Sequence, residues 1–199
     1  YMDTAFISSV EQVPLEPEGT DAVALQVTHG ETVDTIISTL DEAPFEARKA
    51  ADVTIRGRLG IVRRVEGRVT GMWLFEGTEL QSGDHRLDSR TATYEGEIIG
   101  EIRVADDDEH NAFITSADLP EGDALHGVWM IVTHPNGFTH GYEIQRVEKR
   151  DGQSLVILTM DHGLQIDGET TREVYYPQRT MEGTNTFTIP LAACMVQAL

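Results

Sequence analysis

The chain has 199 residues, 40% of them hydrophobic, and carries 34 acidic against 15 Lys and Arg side chains, a net charge of −19. That is enough apolar material for one sizeable core, read as a single domain over residues 1–199. Such acidity argues against a nucleic-acid partner, because phosphate binding needs clustered cations that displace counterions, and against an anionic membrane surface for the same reason.

The predicted elements are strands with period-two alternation from one end to the other. In chain order they are 4–10, 22–29, 33–39, 53–57, 59–65, 69–77, 91–96, 97–105, 111–117, 127–134, 139–149, 154–160, 172–177 and 185–190. The window "DEAPFEARKAADV" (41–53) has the spacing closest to a helix, but Pro44 interrupts it, so a turn or charged loop is an equal alternative. "VEGR", "PNG", "RDGQ" and "IDGE" place glycine where a reversing backbone needs positive φ. Short strands at this spacing without intervening helices give an all-β fold, a large antiparallel β-sandwich, and exclude a Rossmann or TIM architecture.

The stretch "HPNGFTHGYEIQRVEK" sets His134 and His140 around a Pro-Asn-Gly. A two-residue loop at Asn136–Gly137 pairs His134 with Thr139, and one at Pro135–Asn136 pairs it with Gly137. Neither puts the imidazoles opposite each other; a five-residue loop centred on Gly137 would. The leading expectation is a hairpin corner, with a metal pair or direct ligand contact as alternatives.

Trp73 and Trp129 alternate with small or polar residues, the pattern of core-facing strand positions, with a sugar-stacking platform as the alternative. Tyr175 and Tyr176 must point to opposite faces of a strand. The acidic runs "ADDDEH" (105–110) and "DHGLQIDGE" (161–169) lack the spacing of a calcium loop and read as solvated turns. In "GRLGIVRR" (57–64) the arginines are expected to tie neighbouring carboxylates together, or else to meet a carboxylate-bearing sugar. Cys194, the one cysteine, sits in "IPLAACMVQAL" and is expected to be a buried apolar thiol. That tail packs into its own core or is donated to a neighbour's sheet edge.

No nucleophile elbow, phosphate loop, His-Glu-x-x-His or Cys-x-x-Cys occurs, so no catalytic residue, metal or cofactor is assigned. No run approaches the ~20 apolar residues of a membrane helix. The first residue is Tyr1, so a signal, a tag or upstream domains are expected to have been cleaved or left out, and a secreted, extracellular or periplasmic location is compatible with that. The acidity fits a high-salt habitat or a solubilised extracellular surface.

The order of "VTHGETVDTIISTLDEAP" (27–44), "GRLGIVRRVEGRVTGMWLFEGTEL" (57–80) and "GFTHGYEIQRVEKRDGQSLVILTMDHGLQI" (137–166) resembles the carboxyl-terminal β-sandwich of secreted heparinase II/III-like polysaccharide lyases. The resemblance implies an accessory, non-catalytic sandwich that supports or lines a glycan cleft beside an upstream catalytic domain. The long helices of that family's toroid are missing, and its catalytic tyrosine and histidines are not carried over to any position. The candidate glycan contacts are His134, His140, Tyr142 and Trp73. A stand-alone carbohydrate-binding module and a structural subunit of an extracellular assembly are the competing expectations. The expected partner is a polysaccharide or the upstream domain.

Overall fold

The computed structural model describes residues 6–18, 21–42 and 45–197. The fold is all-β and antiparallel, with 62% of residues in strands and 2% helical. In chain order the strands are β1 (Ser9–Gln12), β2 (Leu15–Glu16), β3 (Ala22–His29), β4 (Thr32–Thr39), β5 (Arg48–Ala50), β6 (Val53–Val65), β7 (Arg68–Ser82) and β8 (His85–Asp88). There follow β9 (Thr93–Ile98), β10 (Gly100–Ile102), a 3₁₀ turn (Val104–Asp106), β11 (Ala112–Thr115), β12 (Trp129–Thr133), β13 (Thr139–Arg150) and β14 (Gln153–Leu158). The last are β15 (Leu164–Asp167), β16 (Thr170–Glu173), β17 (Thr180–Glu182), β18 (Asn185–Pro190) and β19 (Ala192–Val196). Two compact units result, Tyr1–Thr93 with Leu191–Leu199, and Tyr94–Pro190.

The first unit is a nine-stranded sheet built on β6 and β7. Residues 53–57 and 59–65, expected as two strands, form the single strand β6. The interruption is a bulge: the register slips between Arg56 and Gly57, and one extra residue of β7 is absorbed there. The backbones meet so closely that a Cβ on Gly57 would lie 2.5 Å from Gly77 Cα. A Cβ on Gly60 would lie 2.8 Å from the tips of both Ile55 and Leu80. The sheet thus folds over itself, and Ala24, Ile37, Val53, Ile55, Val62, Met72, Leu74 and Leu80 form one buried cluster. Each of these side chains other than Ala24 contributes about 1.5–3 kcal/mol by leaving water.

Arginines of "GRLGIVRR" pair with carboxylates on adjacent strands and in the β5–β6 turn, as expected. Both nitrogens that Arg63 donates lie 2.7 Å from Asp34. Arg64 reaches Asp52 at 2.7 Å and Arg58 reaches Glu76 at 2.9 Å.

The apolar tail pairs with its own chain, Ala192–Val196 running antiparallel to β7. Cys194 is exposed, which corrects the buried thiol. Its register partner is Trp73, on the outer face, while Met195 takes the core side. In the helix-like window the described residues after Phe45 lead into β5 without a helix. Pro44, residues 4 and 5 of the first expected strand, and the last two residues of the tail lie outside the described residues. Among the described residues no helix is long and apolar enough to cross a membrane.

The second unit has a seven-stranded sheet, β10-β11-β14-β13-β12-β18-β9, and a three-stranded sheet, β15-β16-β17. Strand β12 alternates strictly: Met130 and Val132 are buried, whereas Trp129, Ile131 and Thr133 are exposed. Phe113, Met130, Val132, Ile144, Val156 and Phe187 are at most 2% exposed. The inner face also carries His134 and Tyr142, and these meet the three-stranded sheet.

Candidate functional site

The β12–β13 turn takes neither two-residue form. His134 N–H donates to the Phe138 carbonyl, and Gly137 N–H donates back to the His134 carbonyl, each at 2.8 Å. The loop is therefore Pro135–Asn136–Gly137, with Gly137 at φ 83°. This register pairs His140 with Val132, two residues before His134. The histidines are diagonal neighbours on one face, within reach of aromatic side chains. Their rings lie 4.9 Å apart between centroids.

A directed hydrogen-bond chain follows. Asn185 donates its amide N–H to Thr171 Oγ1, leaving Oδ1 toward His134 Nδ1 at 2.7 Å. That oxygen only accepts, so His134 carries its proton on Nδ1 and leaves Nε2 bare. His140 Nδ1, 2.8 Å from that Nε2, donates to it. His140 is exposed and His134 is 2% exposed. Burial pushes the His134 pKa down, and the Asn185 hydrogen bond opposes the shift.

Glu173 and Arg179 stand beside the pair, joined by two contacts of 2.8 and 2.9 Å. The Arg179 guanidinium also lies 4.7 Å from the ring centre of Phe138. Tyr142 is a core residue, 6% exposed, edge-on to Phe113. Burial pushes its phenol up to about 12, so it stays protonated, and it donates to the His162 carbonyl at 3.3 Å. It presents no ring face to a ligand.

Next to it, Asp161 accepts two contacts from Arg103, at 2.9 and 3.1 Å, and one from the Tyr175 hydroxyl at 2.6 Å. The Arg103 bond, reinforced by Tyr175 and the Gly163 amide, holds the Asp161 carboxyl far below the usual range. These groups fix Tyr175, leaving Tyr176 96% exposed at the following turn. His162 is buried, with Nε2–H donating to the Ile102 carbonyl at 3.0 Å and Nδ1 accepting from Leu164 N–H. Among the described residues no group of three or more His, Cys, Asp or Glu converges as a metal site would require.

The other face of the seven-stranded sheet carries Trp129, 50% exposed, which corrects its expected burial. Its indole lies over Gly141: a Cβ there would sit 3.0 Å from Trp129 Cε3. Glu143 is its cross-strand partner, and Ile131, 37% exposed, pairs with Gly141. Threonines 133, 139, 186 and 188 continue that face by register. The outcome is an aromatic plane set among hydroxyls and a carboxylate.

Trp73 occupies the outer face of the first unit, partly buried over Gly71, with the Arg63 guanidinium 5.6 Å from its ring centre. Of the residues singled out from the sequence, the structure joins His134, His140 and Tyr142 in one region of the second unit. The spacing gave no sign of Asn185, Thr171, Glu173 or Arg179, which arrive from β16 to β18. Gly141 facing Trp129 was legible only once the hairpin loop was known. Comparison with family models, characterised proteins and solved structures returned no match.

Proposed function

We propose that this chain is a non-catalytic glycan-contacting β domain of a secreted polysaccharide-degrading enzyme, and that Trp129 is its platform. The exposed indole flat against Gly141 carries the reading. Stacking on a sugar ring requires an accessible aromatic face with hydrogen-bonding groups around it, and Ile131, Glu143 and the four threonines supply that surround. Gly141 lets the indole lie against the sheet, so little conformational freedom is lost on binding.

The segment order that resembles the sandwich of heparinase II/III-like lyases supports the enzyme context and an upstream catalytic domain. The charge argues about the ligand. With a net charge of −19 and Glu143 directly across from Trp129, a uronate or sulfated glycan would be repelled at low salt and bind more tightly once salt screens that repulsion, whereas a neutral glycan would not show this dependence.

The test is affinity electrophoresis and calorimetry against neutral and anionic polysaccharides, with Trp129→Ala and Trp73→Ala as variants. Binding lost at least tenfold in Trp129→Ala and kept in Trp73→Ala is the expected result. Equal binding by the wild type and Trp129→Ala, or no binding to any glycan, would overturn the proposal. A catalytic neighbour is tested by pull-down with the native upstream polypeptide.

A further inference from the structure

We propose that His134 and His140 form a one-proton site that latches the tip of the β12–β13 hairpin to β16 and β18. The direction of the hydrogen-bond chain dictates this capacity. Asn185 Oδ1 accepts from His134 Nδ1–H, and His134 Nε2 accepts from His140 Nδ1–H, which leaves His140 Nε2 as the open lone pair. A first proton fits on His140 Nε2, at an exposed residue, with every hydrogen bond kept. A second must go onto His134 Nε2, where two N–H groups would then face each other across 2.8 Å. The folded pair cannot hold both protons and remain closed.

The groups packed against the pair leave the limit in place. On β16, Thr171 is neutral; the Glu173 carboxylate favours a proton on His134, and Arg179, which engages that carboxylate, opposes it. On β18, Asn185 supplies an oxygen without charge, and on β13 Tyr142 stays a neutral phenol. No carboxylate touches His134 directly among the described residues, so nothing replaces the lost acceptor when the second proton arrives. Burial, which lowers the His134 pKa, acts in the same direction.

The sign follows from linkage. A histidine kept neutral in the fold contributes its full stabilisation above its ordinary value of about 6.5, and loses it as pH falls below that value. Opening frees Asn185 and Thr171 together, so the hairpin tip with Phe138 separates from the three-stranded sheet. Acidification thus releases this corner, while the core of the seven-stranded sheet, with Phe113 and Phe187 buried, keeps its own packing.

The experiment is an NMR titration of the imidazole nitrogens of the whole chain from about pH 8 to about pH 5, above most carboxylate titrations. In the folded wild type, His134 is expected to remain neutral with its proton on Nδ1, and the pair to hold no more than one added proton. His134→Gln removes the second site, so its stability should fall less than the wild type's over the same pH interval. His140→Gln, at the exposed position, replaces the facing N–H with an amide oxygen that can accept, and should let His134 take up its proton at least about one pH unit higher than in the wild type. Two imidazolium rings in the folded wild type with the Asn185 contact intact would overturn the proposal. So would a His134 titration unmoved by His140→Gln.

Discussion

Two tryptophans in the two units use the same local device to opposite ends. Trp73 lies over Gly71 of its own strand, and the Arg63 guanidinium, itself paired with Asp34, stands over the ring. Trp129 lies over Gly141 of the neighbouring strand and keeps half its surface in water. In both a glycine removes the Cβ that would hold the indole off the sheet. What differs is the second layer: an ion pair screens Trp73, and nothing comparable stands over Trp129 among the described residues. A covered indole contributes to stability, and an uncovered one is available to a ligand.

The contrast is broken most forcefully by truncation. Trp73→Ala should cost about 2 kcal/mol in urea unfolding, below the range for a fully buried tryptophan because Trp73 is only partly buried. Trp129→Ala should cost under about 1 kcal/mol, as at a surface position, while abolishing glycan binding. Equal stability losses would mean that Trp129 is a packing residue after all.

Added methyl groups sharpen the same comparison. A Cβ at Gly71 would lie 2.3 Å from the Trp73 ring, so Gly71→Ala should destabilise by about 1–3 kcal/mol through overpacking. At Gly141 the gap is 3.0 Å and the indole has solvent to move into. Gly141→Ala should therefore be within about 0.5 kcal/mol of neutral. Its signature should be altered Trp129 fluorescence, best read in a Trp73→Phe background.

The cover over Trp73 is tested by Arg63→Ala, which leaves Asp34, 8% exposed, without its cation. A loss of about 1–2 kcal/mol is expected, less than for a fully buried pair because the arginine is partly solvated. Trp73 should become more accessible to acrylamide quenching, and Trp129 should not change.

The smallest effect is expected at Asp161. Its carboxyl is held low by Arg103, so its contribution is present above its ordinary value of about 3.9 and lost as pH falls through and below it. Asp161→Asn should flatten the acid side of the stability curve below about pH 4 and leave the His134-dependent loss, which sets in below about pH 6.5, in place. Acid titration of unfolding midpoints for the two single variants and the double variant separates these contributions.

Much of the architecture was legible because period-two alternation specifies strands directly. Residues 185–190 form β18 with the expected boundaries, and "VEGR" and "RDGQ" turn where expected, with Glu66, Gly67, Asp151 and Gly152 all at positive φ. Short pieces such as β5, β15 and β17 were missed because three or four residues show no period of their own. The break between 57 and 59 misled because a bulge interrupts the pattern without ending the strand. Trp129 and Cys194 misled for a deeper reason. Alternation says which residues share a face, but not which face is covered.

The sequence by itself determined the all-β class, most strands and turns, the arginine–carboxylate ties of β6, and the acidity that disfavours nucleic acid. Those properties are local, or sums over the chain. Only the tertiary structure decided that His134 and His140 meet, because one loop residue more or fewer turns one of the rings to the other face. It alone brought Asn185, Thr171 and Glu173 to them from strands more than thirty residues away, and left Trp129 uncovered. Contacts across such separations depend on register and on which faces pack together, and no local pattern encodes either.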